Sequence, residues 1–285
     1  YEKIYNGGFK WLIDNGAWYS NTHHEHSYTA TGPGHAAIGF GQYPGKIGVL
    51  GNSFYDRDLK KKINCVEDPN SVVVGSSKGK ARSFSRYNAY GLGDWLQESS
   101  PSSKVISIGG KDRTACILGG KNPTLPLYYN QAGHFITSSF YRDKLPEWVR
   151  KFNTRSNIFN YVKTWNTLYD INLYQESGPD NSNYEKGFNG KAAPVFPYDL
   201  NVLKGFNQGF DIIKISPFGN TMITDFAFAA IEAENLGADE FTDFLIVSYS
   251  STDYVGHDFG LGSVELQDTY LRLDLEIERL LNYLD

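Results

Sequence analysis

Cysteine is scarce in this chain of 285 residues and methionine scarcer, with Cys65, Cys116 and a single Met. Two thiols cannot build the dense disulfide framework of a small secreted scaffold or an all-thiolate zinc site. They admit one bridge in an oxidising compartment or two buried thiols, and the sequence leaves both open. No apolar run reaches the roughly 20 residues of a helical membrane span, so no membrane partner is expected. Positive charge is not in excess either. Lys and Arg total 27 against 32 Asp and Glu, a net charge of −5, which excludes general nucleic-acid affinity because that needs a basic face. Gly32-Pro33-Gly34 and Gly39-Phe40-Gly41 lack the six-residue spacing of a dinucleotide fingerprint, and neither a Walker loop nor a Gly-x-Ser-x-Gly elbow occurs. Internal repeats and low-complexity tracts are missing. The first residues, Tyr1-Glu2-Lys3, carry neither an initiator Met nor a signal peptide, so the chain is expected to be part of a longer product.

What is present is an ordinary globular composition, 40% apolar and 21% charged, with 20 Tyr and 18 Phe that call for a large, partly polar-edged interior. Phe9–Ile13 before Asn15-Gly16 predicts a short helix, and Ala17–Tyr28 a strand. At Thr29–Ile38 small residues and Pro33 predict a strand-to-helix elbow. Residues 61–200 are less regular and read as an inserted cap, in which Val105–Gly110 is a strand and Pro146 starts a helix. The core is then expected in residues 1–60 and 201–285. There Asn220 is expected to cap a helix running to about Asn235, and Phe244–Val247 to be a strand buried on both faces. Ser263 is expected to cap a last helix whose stripe of Leu266, Tyr270, Leu273, Ile277, Leu280 and Leu284 packs on a sheet. Helix, buried strand, helix is the pattern of an α/β core.

Three groups of residues could carry chemistry. Thr31, at a helix entry, lies where backbone N–H groups and the helix dipole attract phosphate, although a threonine there also serves as a plain N-cap. Asp253 and His257, four apart just after the late strand, can face one ion if the segment is helical; the alternative is a solvated loop pair. Lys111 and Arg113, just past the Val105–Gly110 strand, project to one side if the backbone stays extended and can clamp a phosphoryl group; alone they are also a surface charge run. His23, His24 and His26 have only Glu25 as a nearby acidic partner and are weaker as a metal site.

Taken with Gly51-Asn52-Ser53-Phe54-Tyr55-Asp56, Pro217–Thr221, Ser251–His257 and Asp268–Asp274, these segments resemble the alkaline phosphatase superfamily. The likeness is to the phosphate-irrepressible alkaline phosphatases, within the type I phosphodiesterase/nucleotide pyrophosphatase clan. The resemblance runs through essentially the whole chain. It implies a three-layer α/β/α sandwich with two Zn2+ at the sheet's C-terminal edge. Thr31 is then the nucleophile and a ligand to one zinc, Asp253 and His257 bind the other, and Asn52, Lys111 and Arg113 hold the phosphate oxygens. It implies hydrolysis of phosphate monoesters through a covalent phosphothreonine, inorganic phosphate as product, a monomer, and a periplasmic or secreted location. Related phosphodiesterases lack the cationic pair, so Lys111 and Arg113 argue for monoesters. The family also needs an Asp upstream of Thr31, an Asp-His pair and a later His, and no Asp-His dipeptide occurs in this sequence. A fragment short of zinc ligands is therefore expected. The alternatives are a nucleotide pyrophosphatase or phosphodiesterase on the same fold, or a catalytically inactive scaffold.

Overall fold

The computed structural model describes residues 5–285. Helices α1 (Gly8–Asn15), α2 (Thr31–Phe40) and the single turn α3 (Pro44–Ile47) lead into a hairpin of β1 (Ser53–Asp56) and β2 (Lys61–Asn64). β3 (Val73–Val74), α4 (Leu92–Ser99), β4 (Val105–Gly109), α5 (Asp112–Gly119), β5 (Leu125–Tyr129) and β6 (Phe135–Ser138) follow. Short pieces come next: α6 (Glu147–Phe152), α7 (Arg155–Ile158), the paired strands β7 (Thr164–Trp165) and β8 (Tyr198–Asp199), and α8 (Leu200–Leu203). The chain closes with α9 (Phe218–Glu234), β9 (Phe244–Ser248), α10 (Ser251–Phe259) and α11 (Val264–Leu284).

One five-stranded sheet, in the order β3-β6-β5-β4-β9, organises the molecule. β4 runs parallel to β5 and β9, with Ile106 opposite both Leu125 and Leu245, while β6 turns back antiparallel. Side chains alternate between two apolar clusters, as strand geometry requires. Leu127, Tyr129 and Phe135 face α9, where the rings of Phe135 and Phe226 stack at 3.7 Å. Tyr128 and Ile136 face the opposite way, toward Ala115 and Ile117 of α5 and Phe40 of α2. The result is the expected three-layer α/β/α arrangement.

The boundaries drawn from sequence need correcting. Four of the five strands lie between residues 73 and 138, so this stretch builds the sheet and is not a cap on it. Irregular sequence misleads there because its strands are short and separated by long loops. Ala17–Tyr28 forms turns and open loop, not a strand. β9 pairs only with β4, so its residues are half-buried and not shielded on both faces. Helix α9 starts at Phe218 after Pro217, with Asn220 inside its first turn accepting a hydrogen bond from Ser251 N at 3.2 Å. Ser263 does cap α11, its hydroxyl accepting from Leu266 N, but that helix packs on α1, α9 and α10, with Tyr270 and Leu284 exposed. Both cysteines are buried and unbridged. Among the described residues no helix is long and apolar enough to cross a membrane.

Candidate active site

Thr31 is the first residue of α2, directly after Ala30 in extended conformation. Gly32 follows because nothing larger fits. A Cβ there would stand 3.2 Å from both Cys65 Sγ and Gly51 O and 3.4 Å from Asn52 Oδ1. The Gly32 N–H, one of the free amides at the helix start, donates to Asn52 Oδ1 at 2.7 Å. That bond fixes the Asn52 amide beside Thr31 and leaves its NH2 group free to donate elsewhere.

Lys111 ends the turn after β4 in extended conformation, and α5 begins at Asp112. Arg113 therefore sits in a helical first turn, and the fully extended backbone expected around the pair is not found. Both cations nevertheless line one cavity of about 420 Å³, together with Asp112, Arg82, Lys214 and Tyr254. Lys111 is buried, its ammonium 4.7 Å from the centre of the Tyr254 ring. Asp112 is held by Arg82 Nε at 2.8 Å. The Nε of Arg113 is buried without a hydrogen-bond partner, a donor suited to an anion.

Asp253 and His257 lie one turn apart on α10, with His257 Nε2 3.7 Å from Asp253 Oδ2. The helical spacing expected from the sequence is met. These two atoms could hold one cation between them, and in their present arrangement the ammonium of Lys111 contacts the same carboxylate oxygen. Lys111 thus joins the cation pair to the acid–imidazole pair.

His35 completes the link. One turn after Thr31, its Nδ1 bonds the Thr31 carbonyl at 2.7 Å, so the neutral ring carries its proton on Nδ1. Burial lowers its pKa, opposed by that hydrogen bond, with smaller effects from Lys111, Asp253 and Arg113. Those three charges act on His35 because the start of α2 and the ends of β4 and β9 meet at one edge of the sheet. The structure brings Lys111, Asp253 and His257 together by ion pairs, and Thr31 and Asn52 together through Gly32. Thr31, Asn52, Asp253 and His257 do not line the cavity that Lys111 and Arg113 share. Sequence reasoning missed His35, whose signal was its four-residue spacing from Thr31, and Arg82, which no local pattern marks. His24 and His26 meet edge to face with ring centres 5.4 Å apart, while Glu25 is engaged by Tyr43. Among the described residues no group of three His, Cys, Asp or Glu side chains is drawn up to hold a metal.

The sequence model of the type I phosphodiesterase/nucleotide pyrophosphatase family matches residues 3–285. The chain belongs to that family. Curated relatives include alkaline phosphatase PafA of Elizabethkingia meningoseptica, 38% identical over 290 residues that cover all of this chain and 53% of the relative. Alkaline phosphatase PhoV of Synechococcus elongatus is 41% identical, covering all of this chain and 52% of its own length. The crystal structure of wild-type PafA superposes with a TM-score of 0.95 at 38% identity, over all of this chain and 56% of that one. A PafA variant with a threonine changed to serine, and an asparagine, a lysine and an arginine changed to alanine, superposes equally well at 36% identity. This family member therefore spans about half the length of the relatives it matches.

Proposed function

We propose that this chain carries the nucleophile and phosphate clamp of a zinc-dependent phosphomonoesterase, and the contact of Lys111 with Asp253 is the observation that carries the reading. A catalytically inactive scaffold has no use for a buried lysine held between an anion-binding cavity and an acid–imidazole pair. The separations in the PafA variant add support. Its altered threonine and asparagine are 21 positions apart and its lysine and arginine two, as are Thr31 and Asn52, and Lys111 and Arg113, here.

In this reading Thr31 Oγ attacks the phosphorus, its proton leaves, and the bond to the ester oxygen breaks, releasing the alcohol. Water then attacks the phosphothreonine and inorganic phosphate departs. The Asn52 NH2, Lys111 and Arg113 face the non-bridging oxygens, whose negative charge their donors match. Asp253 and His257 supply oxygen and nitrogen donors that fit zinc, with Thr31 as the donor toward the second ion. Bound zinc lowers the pKa of a hydroxyl and stabilises a leaving oxygen.

Two cations beside one phosphoryl site favour the dianion of a monoester over the monoanion of a diester, so the phosphodiesterase in the family's name is the less favoured activity. The test uses the full-length protein: zinc content by elemental analysis and turnover of an aryl phosphate monoester against the matching diester. Preference for the monoester, with zinc lost in Asp253→Asn, supports the proposal; preference for the diester, or zinc content unchanged by that substitution, overturns it. A monomeric state and a periplasmic or secreted location belong to the same proposal and are checked by sedimentation and cell fractionation.

A further inference from the structure

The cavity that Lys111 and Arg113 share carries more positive charge than one phosphoryl group needs. Five cations line it, Lys80, Arg82, Lys111, Arg113 and Lys214, against two carboxylates, Asp112 and Asp211. Asp112 lies 2.8 Å from Arg82 Nε and 3.5 Å from Arg113 Nη1, and Asp211 2.7 Å from Lys214 Nζ. Three cations remain in excess. Asp253, the partner of Lys111, lies outside the cavity and is a metal donor in the proposed function. The dianion of a phosphate monoester then leaves positive charge over.

The surplus cations are held in place. Lys78, Lys80 and Arg82 alternate along one stretch, whose carbonyls are fastened to the central sheet at every second residue. Asn130 Nδ2 donates to Lys78 O at 2.9 Å, the Tyr128 hydroxyl to Lys80 O at 3.0 Å, and Ser138 Oγ to Arg82 O at 2.8 Å. All three donors belong to buried residues. Gly79 takes a φ of 117°, and a Cβ there would stand 3.0 Å from Ile136 Cδ1, so the close approach requires glycine. From this stretch Lys80 and Arg82 line the cavity, and Lys78 does not. Arg82 is 8% exposed, and its Nε and Nη1 are buried without a hydrogen bond, the contact with Asp112 being close but out of line. Arg113 Nε is bare as well. Lys80 is exposed, and no carboxylate among the described residues pairs with it. Unsatisfied guanidinium donors call for the paired oxygens of an oxyanion.

We propose that this cavity receives a second oxyanion, a phosphoryl or carboxylate group on the alcohol part of the phosphate monoester, bound by Lys80, Arg82 and Lys214. The substrates are then monoesters whose alcohol carries a further anionic group. The position of the transferred phosphoryl group, between Thr31 and the clamp, rests on the phosphatase reading. Thr31 does not line the cavity, so the cavity lies past the clamp from the nucleophile. Its volume of about 420 Å³ admits a short linker and a second oxyanion. The Tyr254 ring centre is 4.7 Å from the Lys111 ammonium and 5.2 Å from that of Lys214, which puts the two ammonium groups no more than about 10 Å apart. Two anionic groups on a two-carbon chain can meet both.

The test is calorimetric binding of three phosphonates, which are not hydrolysed, to the full-length, zinc-loaded protein. Ethylphosphonate lacks the second anion; 3-phosphonopropionate and ethane-1,2-bisphosphonate carry it as carboxylate and as phosphonate. At least one of these two is expected to bind about ten-fold or more tightly than ethylphosphonate, and the better one identifies the preferred group. Lys80→Gln and Lys214→Gln should each remove most of that advantage. Lys78→Gln changes the charge equally from outside the cavity and should keep it. No advantage for either ligand overturns the subsite. So does an advantage that survives both Lys80→Gln and Lys214→Gln, which would come from the metal, or an equal loss in Lys78→Gln, which would mean diffuse attraction. Turnover of an aryl phosphate monoester by the same preparation keeps the two readings apart. An active enzyme without the advantage loses the subsite alone, and the advantage in an inactive protein loses the phosphatase reading alone.

Discussion

The ammonium of Lys111 contacts Oδ2 of Asp253 across 142 positions of sequence, joining the end of β4 to helix α10. Lys111 is buried whereas Asp253 is half exposed, so the lysine gains more from the pair. In the proposed function this one cation serves two anions, the carboxylate and, when substrate enters, a phosphoryl group. Lys111→Ala is expected to lower kcat/KM for an aryl phosphate monoester by about 10² to 10³. The matching diester should lose much less, and equal losses on both substrates would count against the clamp.

Asn52 does two jobs with one amide: its oxygen holds Gly32 N, and its nitrogen is free for substrate. Asn52→Asp keeps the acceptor and removes the donor. Its activity is expected to fall by about 10² or more while its Tm stays within a few degrees of the parent. Asn52→Ala loses both contacts and should fall in activity and in Tm. If the Asp variant kept its activity, the donor role of Asn52 would be lost.

Burial pushes the Glu265 carboxyl up to about 8 from an ordinary value of 4.5, the Tyr198 bond opposing and the charges on Glu185 and Asp180 adding to the rise. The folded state then holds this proton more tightly than the unfolded chain. Its stabilising effect is complete below pH 4.5 and is lost as pH rises through about 8. In chelator, Tm is expected to decline across that interval, and Glu265→Gln should flatten the slope. Calorimetry over the pH series is the check.

Asp268 is fully buried and serves four donors: Trp165 Nε1 and Arg272 Nε on one oxygen, Leu168 N and the Tyr174 hydroxyl on the other. Removing it strands the Trp165 Nε1–H and the Tyr174 hydroxyl, while Leu168 N keeps the Tyr174 oxygen and Arg272 keeps the Asn166 carbonyl. Asp268→Ala should cost about 3 to 5 kcal/mol in denaturant unfolding, a loss of under 1 kcal/mol being the contrary result. Asp268 and Asp274 both belong to a stretch that marked the family resemblance, yet each is structural. Asp274 takes the Gly7 and Phe9 amides at the start of α1 at 2.8 and 2.7 Å.

Periodic and capping signals carried much of the fold. The run Val105–Gly110 was legible as a strand because it is short, apolar and β-branched before two glycines, and β4 covers all but its last residue; Ser263 was legible as a cap because a hydroxyl answers a free amide wherever a helix starts. The spacing of Asp253 and His257 was legible because helical geometry is local. Ala17–Tyr28 misread as a strand because aromatic and polar residues are mixed in it, and it pairs with no neighbouring strand that would take its backbone hydrogen bonds. Asn220 misread as a cap because its side chain serves Ser251, a partner 31 positions away.

By itself the sequence determined the family, through motifs spread along the whole chain, and also the helix-start threonine and the cation pair after β4, which rest on neighbours within a few residues. Only the tertiary structure decided that residues 73–138 build the sheet, that Lys111 meets Asp253, and that Tyr198 meets Glu265. Those facts depend on which strands pair and which surfaces lose their water. Such long-range contacts are fixed by the packing of the whole chain, and no local pattern encodes them.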